Sequence, residues 1–431
     1  ENETALKAAA LKGAWEKVIK QIEENDQLSL LYDIEMPLSK VLSSMEVTGF
    51  LVDRENIQQY GAVLEEKINS LVSEIYDLAG EEFNINSPKQ LGTILFEKLG
   101  LPAKKKTKSG YSTNADVLEG LAPDYPIVSL ILEYRTLAKL KSTYCDGLQK
   151  CIAPDGRIHS TLNQTETKTG RISSTEPNLQ NIPVRTPVGR ELRKFFIAKE
   201  GCVLVDADYS QIELRVLSDI ANDETMISAF NNGDDIHTIT ASQVFNMPVE
   251  AVTPLMRSRA KAVNFGIVYG ISSFGLSQDL SISKKQAAEY IEKYFEAYPG
   301  IKVYIDELVA FAKEHGYSLT MFNRRRPIPE IKSSNFMQRS FGERVAMNAP
   351  IQGTAADLIK LAMIRVENAL NEKYPDAQLL LQVHDELIVE CPEGVAPEVA
   401  ALVSREMENV ASLSVPLTAE AKFGKSWYEA K

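Results

Sequence analysis

The chain has 431 residues, of which 44% are hydrophobic and 25% charged, and a formal net charge of −12. That balance is ordinary for a soluble globular protein of about three domain-sized units, and no apolar run approaches the roughly 20 residues that cross a bilayer. No signal-like segment opens it, and Cys145, Cys151, Cys202 and Cys391 form no CxxC pair and have no neighbouring histidine, which argues against zinc or a disulfide framework and for a reducing compartment.

The elements follow in chain order. The first residue is Glu1 rather than Met, and residues 1–20 are rich in Ala, Lys and Glu, which reads as the cut end of a longer polypeptide. Residues 54–78 form a long helix: Asp53 can cap it, Ile57, Tyr60, Leu64, Ile68, Leu71 and Ile75 recur at helical spacing, and Gly80 ends it. Ser87-Pro88-Lys89-Gln90 has the pattern of a capping box with proline at the first helical position, opening a helix that stops near Gly100. Lys104, Lys105, Lys106 and Lys108 follow in a loop, and Thr113 or Asn114 can cap the next helix. Residues 160–187, rich in Thr, Asn, Gln, Ser and Pro, suit an ordered polar surface or loop. Residues 202–208 (CVLVDAD) alternate like a strand, 210–220 continue as a helix, and helical spacing dominates from 234 to 312. Two apolar runs, 378–383 and 386–391, separated only by His384 and Asp385, read as a hairpin.

The net charge alone argues against a nucleic-acid partner, but a phosphate backbone responds to the local field rather than the total. Three basic clusters stand out: the lysine loop, Arg257 with Arg259 and Lys261, and Arg324-Arg325-Arg326. Each taken alone reads as a solvated surface, so composition leaves the partner open.

Candidate chemistry sits at three places. The hairpin puts Asp385 and Glu386 at its tip, and period two puts Asp206 and Asp208 on one face of the strand before them. An acidic turn is commonplace, but carboxylates at the ends of neighbouring strands can hold a hard divalent cation through oxygen. Periodicity does not decide between Asp206 and Asp208. Third, Arg257, Lys261, Phe265 and Tyr269 recur every four residues and share one broad helical face, with Asn264 and Gly270 beside it. Cations at one end and flat rings at the other suit a nucleoside triphosphate; the alternative is a mixed helix packed on a neighbour.

These residues carry a resemblance. Residues 205–215 (VDADYSQIELR) resemble motif A of the family A DNA polymerases, 257–270 (RxxxKxxxFxxxYG) motif B, and 383–386 (VHDE) motif C. Residues 169–183 (TGRISSTEPNLQNIP), 235–238 (DIHT) and 347–360 (MNAPIQGTAADLIK) match as well, so the likeness runs from about Leu28 to Lys431 and is nearest to the polymerase portion of the bacterial polymerase I kind.

The resemblance implies an α+β right hand: an upstream remnant at 1–27, a thumb with small palm segments at 28–150, palm at 151–215 and 346–431, and fingers at 216–345. It implies template-directed addition of dNTPs to a primer 3′-hydroxyl, by a bacterial, cytoplasmic, nucleoid-associated monomer with no membrane partner and no proofreading or 5′-nuclease domain in this chain. Asp208, Asp385 and the Tyr209 carbonyl would bind two magnesium ions, with manganese as a substitute, one acidifying the primer hydroxyl and the other holding the triphosphate. Lys261 would neutralise the transferring phosphate, Arg257 and His237 would hold the outer phosphates, and Phe265, Tyr269, Gln211 and Glu213 would complete the nucleotide site, Glu213 crowding a ribose 2′-hydroxyl. Arg171, Arg344, Asn348 and Gln352 would contact the primer–template, and Lys104, Lys105 and Lys106 would lie at the thumb tip near the duplex. Three departures stand out: Asn323 where many relatives carry glycine, Gly342 within a predicted helix, and Asp206 as a third carboxylate beside the site. Single-subunit RNA polymerases share the two aspartates, but Glu213 stands against that reading; the intact set of Asp208, Asp385, Arg257 and Lys261 stands against a silent DNA-binding scaffold, and a metal-dependent nuclease would not need the triphosphate stripe.

Overall fold

The computed structural model of the chain describes residues 2–103, 106–107, 110–183 and 187–431, and only the backbone of 2–4, 7, 8, 12, 106, 107, 187 and 188. The first third is helical, with α1 (Asn2–Glu24), α2 (Met36–Thr48), α3 (Arg54–Ala79) and α4 (Pro126–Lys139) as its main elements. In α3 the Asp53 carboxylate accepts from the Asn56 N–H, Ile57, Leu64, Leu71 and Ile75 are buried against α4 and its surroundings, and Gly80 closes the helix at φ 72°. Each buried aliphatic side chain contributes about 1.5–3 kcal/mol by leaving water, which exceeds any propensity difference along the helix.

The capping box read at Ser87 is only half formed. Ser87 accepts from the Gln90 N–H at 3.4 Å, but the Gln90 side chain accepts from the Asn84 N–H at 2.7 Å instead of reaching back. A three-residue shift toward the preceding turn satisfies a loop donor that would otherwise go unpaired. The reciprocal box occurs at Ser283 and Gln286. Asn114, rather than Thr113, caps the helix beyond the lysine loop, accepting from the Val117 N–H.

From the middle onward a sheet is wrapped by helices: β1 (Cys202–Tyr209), α5 (Ile212–Ile220), α6 (Ile236–Phe245), α7 (Pro254–Val268), α8 (Pro299–His315), α9 (Phe336–Lys373), β2 (Gln378–Val383), β3 (Glu386–Pro392), α10 (Ala396–Glu408) and β4 (Ala419–Gly424). The strands run antiparallel in the order β2-β3-β1-β4. The alternation expected of β1 is absent, because both faces of the sheet are covered. Val203, Val205 and Ala207 pack into one core with α9 and α10, whereas Leu204, Leu381, Val383 and Ile388 pack into the other with Phe50, Phe196 and Trp427. A strand covered on both sides reads as a continuous apolar run, and only the carboxylates interrupt this one. Among the described residues no helix is long and apolar enough to cross a membrane.

Two of the departures have structural reasons. Asn323 does adopt the left-handed region, at φ 59°, and its amide donates to the Asp26 carbonyl at 3.2 Å. Gly342 lies inside α9, where a Cβ would stand 2.7 Å from the Ile331 nitrogen, so close backbone approach offsets the lost helix propensity of about 1 kcal/mol. The third basic cluster is not a solvated one. Arg324 turns inward to Asp357 and Glu35, and the Arg325 guanidinium lies 4.4 Å from the centre of the Tyr317 ring. Buried carboxylates, absent from the local sequence, draw Arg324 in.

Candidate active site

Main-chain register builds the carboxylate cluster. The β2–β3 hairpin turns through His384, at φ 52°, and Asp385, whose carbonyl accepts from the Tyr209 N–H at 3.1 Å. That bond sets the turn against the end of β1, and the ladder places Glu386 opposite Asp208. The structure also separates the two aspartates that periodicity left equivalent. Asp208 has a side chain 45% exposed, whereas Asp206 is 2% exposed beside the Trp427 indole. Asp208 is therefore much the more accessible of the two.

The cluster is electrostatically unfinished. Burial pushes the Asp385 carboxyl up to about 6, reinforced by Glu213 and Asp208 and opposed by Arg171 and Lys431. Asp206 is likewise raised to about 6 by burial, with Lys431 opposing and Asp208 adding to the rise. The Lys431 ammonium lies 3.0 Å from Asp208 Oδ2 and also contacts Glu386. Beneath them the buried Arg193 guanidinium is 3.5 Å from Glu386 Oε1 and 3.9 Å over the Trp427 ring. An open cleft of about 320 Å³ runs beside Asp206, Asp208 and Glu420. Arg193, Trp427 and Lys431 escaped the sequence reading, since no spacing links positions so far apart; the one available signal was the isolated tryptophan.

Among the described residues no three His, Cys, Asp or Glu side chains form a ready-made metal cage. The donor chemistry nevertheless fits a hard divalent cation. Asp208 and Asp385 offer only oxygen, Glu386 Oε2 is buried without a hydrogen-bond partner, and magnesium commonly takes one or two carboxylates and keeps its remaining waters.

The cationic stripe runs along α7. Thr253 caps it by accepting from the Met256 N–H, and Arg257 and Lys261 are exposed along its outer face, with Phe265 half-buried and Tyr269 just beyond its end. Arg257 Nε donates to Asp235 Oδ2 at 2.5 Å, and Asp235 Oδ1 accepts from the His237 N–H, so Arg257 is tied to the start of α6. The Lys261 ammonium is 5.9 Å and the His237 ring 5.8 Å from the centre of the Phe265 ring. Burial drops His237 to about 4, with Asp235 opposing and Lys261 and Arg257 adding to the drop. Its ring is therefore neutral, and Nδ1 lies 3.0 Å from the amide nitrogen of buried Asn264.

Glu213 joins the two halves. One oxygen accepts from Arg171 Nη2 at 2.6 Å and the other from the Tyr269 hydroxyl at 3.1 Å. Burial, followed by the Glu213 charge, raises the Tyr269 phenol to about 12, so it donates as a neutral group. Gln211 begins α5 in the left-handed region at φ 57°, with a buried side-chain amide oxygen (Oε1) that has no hydrogen-bond partner. Arg344, Asn348 and Gln352 follow one another at four-residue spacing on α9. Asn348 donates to the Val268 carbonyl at 3.2 Å, and Arg344 packs against Gly270 closely enough that a Cβ there would lie 3.2 Å from Arg344 Cγ. Lys104 and Lys105 lie outside the described residues, as does the side chain of Lys106.

Known proteins share this architecture. Residues 54–429 match the profile of DNA polymerase family A. The chain is 54% identical to the DNA polymerase I of Caldicellulosiruptor bescii over 98% of its length and 50% of the relative's. It is 53% identical to that of Geobacillus stearothermophilus over 99% of its length and 49% of the relative's. It thus spans about half the length of these curated relatives. The structure of the POL domain of Pol1 from M. smegmatis, in complex with DNA primer-template and dNTP, is 43% identical with a TM-score of 0.90, across 95% of this chain and 73% of that one. The mixed helical and antiparallel-sheet fold is that of a DNA polymerase domain, and this chain belongs to DNA polymerase family A.

Proposed function

We propose that the chain is the polymerase portion of a DNA-directed DNA polymerase, joining dNTPs to a primer 3′-hydroxyl. Residues 28–150 are read as thumb, 151–215 and 346–431 as palm and 216–345 as fingers. The observation that carries the reading is Glu213, whose two oxygens tie the α7 stripe, through Tyr269, to Arg171 beside the strand-end carboxylates. A triphosphate site and an acidic site are thereby held in one assembly, as nucleotidyl transfer requires.

Asp208, Asp385 and the Tyr209 carbonyl would hold two divalent cations, magnesium or in its place manganese. Such ions supply an acidified hydroxyl nucleophile and charge neutralisation in phosphoryl transfer. The remaining work falls to side chains. Lys261 and Arg257 neutralise phosphate oxygens through charged hydrogen bonds, and Lys261 can donate its proton to the leaving group. His237, neutral and with Nδ1 facing the Asn264 amide, presents its Nε2–H to an outer phosphate oxygen as a donor without adding charge. Phe265 and Tyr269 offer rings to base and sugar, Gln211 adds an unpaired acceptor, and Glu213 fills the space a 2′-hydroxyl would need. Arg171, Arg344, Asn348 and Gln352 form a polar row for the primer–template, with Lys104, Lys105 and Lys106 toward the duplex backbone.

A labelled primer–template incubated with magnesium and dNTPs, rNTPs or no nucleotide tests this. Templated extension with dNTPs alone is the expected result. Extension with rNTPs at comparable rate would indicate an RNA polymerase, and primer shortening without nucleotide a nuclease.

A further inference from the structure

The basic cluster at 324–326 has no part in the reading above, yet Arg324 is among the most constrained cations in the molecule. Its Nε donates to Asp357 Oδ1 at 2.8 Å, Nη2 stands 2.6 Å from the same oxygen, and Nη2 also donates to Glu35. The second oxygen of Asp357 accepts from the Thr320 hydroxyl at 2.8 Å, and Lys360 Nζ donates to Glu35 at 2.8 Å. Asp357 and Lys360 are fully buried on α9, whereas Glu35 precedes α2. The guanidinium is thus gripped from two directions by groups distant in sequence.

Arg324 also supports a turn. Gly170 sits at φ +81°, and a Cβ there would lie 2.7 Å from both Cδ and Nε of Arg324. Only a residue free of side chain both adopts that φ at low cost and lets the backbone rest on the guanidinium. α9 closes the same space from the other side, since a Cβ on Gly353 would stand 2.6 Å from Thr320 Cγ2 and 3.4 Å from the Thr169 carbonyl. The residue after Gly170 is Arg171, whose guanidinium holds Glu213.

We propose that Arg324 is a positioning residue: clamped by Asp357 and Glu35, it forms the floor under the Gly170–Arg171 turn and so fixes the Arg171 guanidinium against Glu213. This rests on the reading of Glu213 as the sugar-selecting carboxylate and of Arg171 as a primer–template contact. Held by Asp357 and Glu35 and packed under Gly170, Arg324 acts through the height and direction of one turn rather than by direct contact with a ligand. Lysine in its place keeps the charge but loses the planar fork that spans two carboxylates.

The test is a double-mutant cycle between Arg324→Lys and Arg171→Ala, with Gly170→Ala probing the same contact from the turn. Two quantities are read: the rNTP-to-dNTP ratio of kcat/KM, and the dissociation constant for primer–template. Thermal unfolding shows that each variant is folded, and Gly170→Ala serves if Arg324→Lys is not. Arg324→Lys and Gly170→Ala should each raise the ratio by up to about tenfold, the size of a weakened charged hydrogen bond. Neither should raise it further once Arg171 is alanine. Equal effects of Arg324→Lys with and without Arg171, in both quantities, would overturn the proposal, because Arg324 would then act elsewhere. Glu213→Ala separates the two layers. If it leaves the ratio unchanged, the sugar-selecting reading falls, and the cycle in primer–template affinity still decides for or against Arg324: non-additive supports it and additive refutes it.

Discussion

Two charge clusters, one at the open end of the sheet and one buried under the Gly170 turn, are built on opposite principles. At the end of the sheet, Asp206, Asp208, Asp385 and Glu386 outweigh Lys431 and Arg193, two of the carboxyls are pushed up to about 6, and Glu386 Oε2 has no hydrogen-bond partner. Under the Gly170 turn, Glu35 and Asp357 meet Arg324 and Lys360, charge for charge, with hydrogen bonds between them. Burial still raises the Asp357 carboxyl and lowers the Lys360 ammonium, against the opposing pull of their partners. Although burial works to raise the Glu35 carboxyl too, Lys360 and Arg324 bring it below its ordinary value. The first cluster is assembled by the main-chain ladder, which brings like charges together whether or not they suit one another. The second is assembled by its own side chains. On the proposed function, the charges left unsatisfied are the ones a ligand would satisfy, and the paired ones hold the frame.

The largest break in that comparison should come from the sheet end. Asp208→Ala is expected to lower nucleotide addition at least about a thousandfold, the scale on which key electrostatic groups act in catalysis. Duplex affinity should change little, because it comes from cations on phosphate. Gel-shift and primer-extension assays read the two separately, and near-normal extension would remove Asp208 from the metal-binding pair.

The paired network should respond in the other coin of the comparison, stability. Asp357→Ala leaves Arg324 and Lys360 buried beside one carboxylate, and breaking a buried pair in this way costs about 3–5 kcal/mol. Urea unfolding measures it. A loss below about 1 kcal/mol would mean that the network relaxes into solvent and does not constrain the turn.

Phe265 sharpens the contrast at the open site. A dideoxynucleotide lacks the 3′-hydroxyl that can hydrogen-bond its own phosphate, and phenylalanine has no donor to replace it. Phe265→Tyr adds that donor, and a hydrogen bond to a charged group is worth about 1.5–3 kcal/mol, or roughly ten- to somewhat over a hundredfold in selectivity. Competition of ddNTP against dNTP on one template reads the factor; an unchanged ratio would place Phe265 away from the sugar.

The smallest effect concerns His237. Its folded pKa of about 4 lies below the unfolded value of about 6.5, so the unfolded chain binds the extra proton. The stability it contributes is complete above about pH 6.5 and drains away as pH falls through about 4. Urea midpoints for the parent and His237→Gln should therefore converge as the pH is lowered across that window. Parallel curves would show that His237 is not held neutral by its surroundings.

Much of this was legible in the sequence. The strand-like apolar runs and the short hairpin loop were enough to expect β1, β2 and β3, although the alternation expected of β1 is absent because both its faces are covered. The α7 stripe was legible from its helical spacing, and so was α3 with Asp53 and Gly80 at its ends. What stayed hidden involves partners distant in the chain. Arg324 read as solvated because Glu35 and Asp357 lie 289 and 33 positions away. Lys431 and Trp427 reach the carboxylates only once β4 has paired with β1. The choice between Asp206 and Asp208 needed burial, which period two does not supply. The reciprocal bond missing at Gln90 went unseen because a loop donor competes for the same side chain.

The central claim is that the unpaired cluster performs the chemistry and the paired cluster holds the frame. One paired measurement on Asp385→Asn and Asp357→Asn tests it most directly: magnesium-dependent single-nucleotide extension per folded molecule, beside the urea unfolding midpoint. The account predicts a crossed result. Asp385→Asn should lose extension while unfolding at the parent's midpoint or above it, since a repelled charge is gone. Asp357→Asn should unfold at clearly lower urea, yet its folded fraction should still extend the primer. If both variants lose stability and activity together, or if Asp385→Asn extends at the parent's rate, the division between the two clusters is wrong.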